Sequence, residues 1–170
     1  MHEQPRYDPL EPSALFADGR SARPLVAGTV PRGSLRTDGH LFDGRIDGQL
    51  AATFPMAITR DVLHRGRERF NIFCSPCHDR AGTSQGMVVQ RGFPKPPALH
   101  IERLRQAPPG YFFEVMTHGF GRMPSYADQI PIRDRWAIAA WVRTLQVSQH
   151  VEVSELGAEE RRELEMTNDQ

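Results

Sequence analysis

The sequence predicts an all-α fold: a helical domain at 59–148, preceded by a long irregular arm at 1–58 and followed by an acidic tail at 149–170. Three observations predict it. Proline and glycine interrupt the first third of the chain every few residues, and helical periodicity begins only after Thr59. Both cysteines fall in one string, Cys74-Ser75-Pro76-Cys77-His78, at the end of the first periodic stretch.

At 170 residues and 39% apolar content, the chain can build one domain of ordinary size with extended appendages. Its formal charge is zero but unevenly spread. From His150 to Gln170 seven acidic residues face two arginines, a net of −5, which leaves +5 elsewhere. This balance gives no support to nucleic-acid binding, so no nucleic-acid partner is expected. Lys95 is the only lysine among 21 basic residues, and any basic docking patch must be arginine. No run of 18 or more apolar residues and no charged-then-apolar leader is present.

In the arm, Pro5, Pro9, Pro12, Pro24, Pro31 and Pro55 are interleaved with six glycines from Gly19 to Gly48, and no helical period survives. Disorder is one reading. The apolar anchors Tyr7, Leu10, Phe16, Val26, Leu41 and Phe54 support another, a segment that drapes over a partner subunit. Thr59 is a candidate N-cap with Asp61 in the first turn, and the helix should run to the cysteine string. Val62, Gly66 and Phe70 share one of its faces. Glycine inside a helix costs about 1 kcal/mol relative to alanine, so Gly66 marks a close approach by another helix. The candidate is the last helix, roughly Ile132 to Gln146, with Pro131 at its entry and Ala137, Trp141 and Leu145 on one face. Trp141 is expected to pack across Gly66 and Phe70.

Between these helices, Arg80 to Arg91 is a Gly-rich loop and Phe93 to Leu99 is stiffened by proline. Pro109 to His118 should form a helix ended by Gly119 and Gly121. The tail has room for a short helix near Ala158 to Met166.

C-x-x-C-H is the attachment signature of a c-type haem. Each thiol can form a thioether to a porphyrin vinyl group, and the adjacent imidazole, His78, becomes the proximal iron ligand. A zinc site would need four ligands, and no second cysteine pair or spaced histidine pair completes one. A thioredoxin-like pair would need a βαβ context. One covalent haem c is therefore expected, and with it one-electron transfer. Met123 is the favoured sixth ligand, since Gly121-Arg122-Met123-Pro124 lies in a loop before the terminal helix and a thioether raises the potential. Met116, inside an apolar helix, reads as core filler. His118 or His100 is the rival ligand. The Pro97 carbonyl can accept the other ring proton of His78, and Leu99 can pack on the macrocycle. Arg91 and Arg122 are candidate propionate neighbours, or plain surface arginines.

The order G-x-x-x-F-x-x-x-C-x-x-C-H, then P-x-L, then M-P-x-Y, then an aromatic terminal helix, resembles the class I cytochrome c domain across Thr59 to Val147. The resemblance implies a small helical bundle around one haem with His78 and Met123 as axial ligands. The arm strings Gln4-Pro5-Arg6-Tyr7, Asp18-Gly19-Arg20-Ser21-Ala22-Arg23-Pro24-Leu25-Val26 and Gly28-Thr29-Val30 resemble the monohaem cytochrome c subunit of bacterial alternative complex III. Phe70-Asn71-Ile72-Phe73, Val89-Gln90-Arg91-Gly92-Phe93 and Asp134-Arg135-Trp136 also fit that family. It implies a membrane-bound quinol oxidoreductase, with a multihaem cytochrome c, an iron–sulfur subunit and integral membrane subunits as partners.

The leading expectation is thus an electron-carrier subunit, not an enzyme on its own, that hands electrons to a periplasmic acceptor or terminal oxidase. Covalent haem is attached outside the cytoplasm. The expected location is the periplasmic side of the cytoplasmic membrane, peripheral or lipid-anchored through a segment absent from this chain. A freely diffusing periplasmic cytochrome and a haem c peroxidase or sensor with an open distal site are the alternatives.

Overall fold

The computed structural model describes residues 4–32, 35–152, 154 and 156–162. They fall into two units, Met1–Arg36 and Thr37–Gln170.

The first unit is turn-rich rather than featureless. Pro12 and Arg20 pair as an isolated antiparallel bridge. Inside that loop the Ser13 N–H donates to the Gly19 carbonyl and the Gly19 N–H to the Phe16 carbonyl, each at 2.9 Å. Arg23 closes the loop, with one guanidinium nitrogen 2.6 and 2.8 Å from the two Asp18 carboxylate oxygens and its carbon 4.1 Å from the Phe16 ring centre. Ser13 is buried, while Tyr7, Leu10, Leu25 and Val26 stay exposed.

The second unit begins earlier than the sequence suggests. Asp38 caps a short helix, α1 (Gly39–Asp43), by accepting the Leu41 N–H at 3.1 Å. Two short strands follow, β1 (Arg45–Ile46) and β2 (Gln49–Leu50), antiparallel in the register Arg45↔Leu50 and Ile46↔Gln49. Asp47 and Gly48 link them at φ +50° and +78°, the left-handed pair that a two-residue hairpin turn requires. The fold is therefore mostly helical, as the all-α expectation has it, with a small two-stranded sheet that the expectation did not include.

This segment packs onto the helices of its own chain. The Gly110 N–H donates to the Ala51 carbonyl at 2.9 Å, and Arg45 pairs with Glu114 at 2.6 Å. The indole N–H of Trp136 donates to the Leu41 carbonyl at 2.9 Å. Trp136 is fully buried, stacked on Phe113 at 4.6 Å between ring centres and edge-on to Phe54 at 6.0 Å. Aromatic pairs of this kind add about 0.5–1.5 kcal/mol each beyond their buried area. Residues 37–58, expected in the arm, thus contribute Leu41, Ala51, Phe54 and Met56 to a satellite core with Phe113 and Trp136. The boundary lies at 36/37, not 58/59, because Leu41, Ala51 and Phe54 are spent on intramolecular burial.

The remaining elements are α2 (Arg60–Phe73), α3 (Ser75–His78), α4 (Met87–Gln90), α5 (Glu102–Gln106), α6 (Pro109–His118) and α7 (Ile132–Ser148). Thr59 caps α2 through its hydroxyl, which accepts from Val62 N–H at 3.3 Å. Gly66 meets α7 as expected. A β-carbon there would lie 2.1 Å from the Ala137 carbonyl oxygen and 3.1 Å from the Trp141 Cβ. The closest approach is to the Ala137 backbone, with Trp141 beside it and partly buried. The tryptophan at the centre of a core is Trp136, on the face the periodicity did not single out.

Two charged residues of α7 fix its neighbours. Asp134 receives Arg65 of α2 through two hydrogen bonds at 2.9 and 2.7 Å. Arg143 donates to the carbonyls of Arg105 at 2.8 Å, Leu104 at 3.5 Å and Ala107, so it caps the C-terminal end of α5. Gln146, buried, donates to the Leu99 carbonyl at 2.7 Å. Among the described residues, no helix is long and apolar enough to cross a membrane. Residues 158–162 are helical, and the rest of the tail helix expected to Met166 lies outside the described residues.

Candidate haem site

The cysteine string folds as a continuation of α2. The Cys74 N–H donates to Phe70, and the Cys77 and His78 N–H groups donate to the Cys74 carbonyl at 3.1 and 2.8 Å. Pro76 is accommodated in the first turn of α3, where a missing N–H costs nothing. Helical backbone over 74–78 places residues i, i+3 and i+4 on one face, so both sulfurs and the imidazole are presented together. A β-carbon on Gly86 would lie 2.2 Å from the Pro76 carbonyl oxygen, and the Gly86 N–H donates to the Cys77 carbonyl at 3.1 Å. The absence of a side chain at Gly86 is what lets the following loop close over this turn.

That face forms one wall of a cavity of about 360 Å³. The cavity is lined by Cys74, Cys77 and His78, by Pro97 and Leu99, and by Arg122 and Met123. Phe70, Leu104, Phe112, Met116, Ile138 and Val142 supply apolar floor from the main core. Seven of the eight residues read from the sequence as cofactor neighbours therefore border one cavity. Arg91 is not among the lining residues and is exposed. It is the C-cap of the four-residue α4, with its N–H on the Val88 and Val89 carbonyls. Lys95 and Arg103 line the cavity as further cations. Sequence reasoning passed over both, and the helix that carries Arg103, α5, has no periodic signal to announce it.

Met123 reaches the cavity through a tight reversal. Phe120 and Met123 exchange N–H···O bonds at 2.9 and 3.0 Å around Gly121, whose φ is +59°. The loop is tied to α6 by Ser125 Oγ on the Thr117 carbonyl at 2.6 Å and by the Tyr126 N–H on the Met116 carbonyl at 2.9 Å. Met116 also borders the cavity but is 5% exposed within the core. The rival histidines are elsewhere: His118 is exposed, and His100 puts Nε2 2.6 Å from the Ala81 carbonyl, neither of them lining the cavity.

The electrostatics suit metal ligation by a neutral imidazole. Desolvation holds His78 below the ordinary imidazole value, with Asp79 pulling the other way. Its Nδ1 is buried without a hydrogen-bond partner. Desolvation pushes the Cys74 thiol up to about 12, and the nearby Cys77 adds to the rise. A dithiol redox pair needs a stabilised thiolate, which this environment opposes. The Pro97 carbonyl, expected to face His78, accepts the Ser84 hydroxyl at 2.8 Å. An apolar cavity with two thiols on one helical face, a buried imidazole with one orphaned nitrogen, and a thioether on a separate loop fits a haem c.

Residues 61–142, a little under half of the chain, match the family model described as cytochrome c oxidase, cbb3-type, subunit III. The matched stretch runs from the first turn of α2 into α7 and contains every cavity residue just named. It is similar to a cytochrome c domain, and what such a domain implies is haem, iron and electron transfer. No curated protein matches the chain in sequence. A solved structure, the Kuenenia stuttgartiensis reducing HAO-like protein complex, aligns at 22% identity with a TM-score of 0.48, over 62% of this chain and 54% of that one. The chain thus spans little more than half the length of the solved chain it matches.

Proposed function

We propose that this protein is a monohaem cytochrome c that carries single electrons as a subunit of a membrane-bound quinol oxidoreductase of the alternative complex III type. The observation that carries the haem assignment is the convergence of Cys74, Cys77, His78 and Met123 on one largely apolar cavity. In this reading Cys74 and Cys77 hold the single haem by thioethers, and His78 and Met123 are its axial ligands. When bound, the haem supplies a one-electron ferric/ferrous couple. The chain supplies the rest: apolar side chains exclude water, the α2–α3 turn orients the imidazole, and the 120–126 loop positions the thioether. Pro97 and Leu99 border the ring's site, and Arg122, on the same cavity lining, is assigned to a propionate. The choice of complex rests on the arm motifs. They support docking to the multihaem cytochrome, iron–sulfur and integral membrane subunits on the periplasmic side, with onward transfer to a periplasmic acceptor or terminal oxidase.

The test is a pyridine haemochrome spectrum of the purified protein, together with the mass of the denatured chain. A c-type spectrum that stays with the polypeptide through acidified organic solvent is expected. A colourless chain, or pigment that extracts, overturns the assignment. Met123→Ala should then abolish the thioether-to-iron band in the red of the ferric spectrum and admit carbon monoxide rapidly to the reduced protein. Survival of that band overturns the axial assignment alone.

A further inference from the structure

Ser84 sits where serine is strained. Its φ is +66°, in the left-handed region that glycine adopts freely and residues with a β-carbon do not. Gly82, two residues earlier, meets the same demand as a glycine, with φ +79°. Yet position 84 carries a side chain, and that side chain is fully buried. Its hydroxyl donates to the Pro97 carbonyl at 2.8 Å, and its N–H donates to the His78 carbonyl at 3.0 Å. Ser84 is thus a crosspiece between the residue that bears the buried imidazole and the proline segment that borders the same cavity.

The loop around this crosspiece is itself held firmly. Asp79 accepts from the Ala81 N–H at 2.6 Å, the Gln85 N–H at 2.9 Å and the Thr83 hydroxyl at 2.5 Å. The Leu99 N–H donates to the Gly82 carbonyl at 2.9 Å, which joins the loop to the proline segment a second time. Backbone strain persists only where the surroundings over-determine it, and such places gather at functional sites.

We propose that Ser84 is a positioning residue for the haem iron's proximal ligand: it fixes and polarises the Pro97 carbonyl, which would take up the unpartnered His78 Nδ1–H once the haem is bound, and so helps set the reduction potential. The proposal rests on the haem c reading above. A carbonyl oxygen has two lone pairs, and Ser84 engages one of them. The orphaned Nδ1 of His78 needs an acceptor, and the nitrogen opposite a metal bond is ordinarily satisfied in this way. With the imidazole also on it in the haem-bound protein, that carbonyl would divide its electron density between two donors. While the Ser84 hydroxyl draws on Pro97, the carbonyl would pull less strongly on the His78 proton. The imidazole is then a weaker donor to iron, and the ferrous state is favoured. Loss of the hydroxyl should strengthen the pull on that proton, enrich the imidazole and lower the potential.

The full-length holoprotein is first checked by its haemochrome spectrum, whose failure would sink the haem reading rather than this one. Ser84→Ala and Ser84→Gly then both delete the hydroxyl but differ in backbone strain, which glycine relieves and alanine retains. Their thermal stabilities should therefore diverge. Their potentials should fall together, by a three- to tenfold rise in the ferric-to-ferrous ratio at fixed ambient potential, about 30–60 mV at 59 mV per tenfold. Ring resonances of His78 in the ferric proton spectrum should shift alike in both. Potentials that stay at the wild-type value, rise, or part company in step with stability overturn the proposal. Ser84→Gly, which suits the backbone at this φ, keeps the test open even where Ser84→Ala fails to fold.

Discussion

The α-position of Gly66 lies so close to Ala137 that a β-carbon there would stand 2.1 Å from the Ala137 carbonyl oxygen. The obstacle is backbone, which cannot rotate aside, and Trp141 blocks the flank at 3.1 Å. Gly66→Leu should therefore push α2 from α7 and destabilise the domain by about 3 kcal/mol, at the upper end of ordinary overpacking. Thermal unfolding should report a drop of about 10 °C. Gly66→Ala should show a smaller drop in the same direction. An unchanged melting temperature for the leucine variant would mean that the helices do not cross here.

How much of this was legible follows from the kind of signal each element carries. Thr59, the four-residue spacing of Val62, Gly66 and Phe70, and Pro131 announced α2 and α7 because caps and periodicity are local properties. The cavity wall at 74–78 was legible because helical spacing converts C-x-x-C-H directly into one face. The segment at 37–58 was not legible in this way. Its glycines break helical periodicity, yet Asp38 and Gly44 bracket a five-residue helix and Asp47-Gly48 is a two-residue hairpin turn. Elements that short have no period to detect, so only the caps and turn residues reveal them. Trp136 went unseen as a core residue because its burial depends on Leu41 and Phe113, which are distant in sequence. The role of Ser84 had no local signature at all.

Arg143 should be a structural clamp whose loss is felt away from its own helix. Its guanidinium caps the carbonyls at the end of α5, and it lies over the Phe112 ring at 5.1 Å. Arg143→Met keeps much of the stem and removes the donors. The exposed helix end should cost about 2–3 kcal/mol, the scale of charged hydrogen bonds lost from half-buried groups. Hydrogen exchange should accelerate over 102–107 while the α2–α7 crossing stays protected. Uniform loss of protection would assign Arg143 to the global core instead.

The loop at 11–23 should open in acid. The Arg23 hydrogen bond is the main cause that holds the Asp18 carboxyl below its ordinary value, with the Arg20 N–H adding to it. A carboxyl depressed in the folded loop stabilises it above the unfolded value of 3.8, and this stabilisation fades as pH falls through the lower folded value. Chemical shifts of Asp18 and of the Pro12–Arg20 bridge should therefore titrate together below pH 3.8. Asp18→Asn should abolish that transition and loosen the loop at neutral pH. A bridge that persists unchanged in Asp18→Asn would show that the backbone turns alone hold it.

The unit boundary changes how a docking role for the arm must be tested. Truncation after Pro55 looks natural from sequence, since proline and glycine thin out there, but it removes Leu41, Ala51 and Phe54 from the Trp136 core. The indole N–H would lose its acceptor, the Gly110 N–H would lose the Ala51 carbonyl, and the stacked Phe113–Trp136 pair would face water. Losing that much buried contact should cost about 5 kcal/mol, on the scale of the largest single core truncations. Much or all of a small domain's stability is then gone. Chain 37–170 should instead fold with Trp136 buried, giving a fixed near-ultraviolet dichroism and a blue-shifted emission. Failure of chain 56–170 to bind the proposed partner subunits would thus report unfolding and say nothing about docking. The informative result is whether chain 37–170, folded and carrying its haem, still co-purifies with those subunits. If it does, residues 1–36 are not the docking element. If it does not, the exposed Tyr7, Leu10, Leu25 and Val26 are the first side chains to substitute.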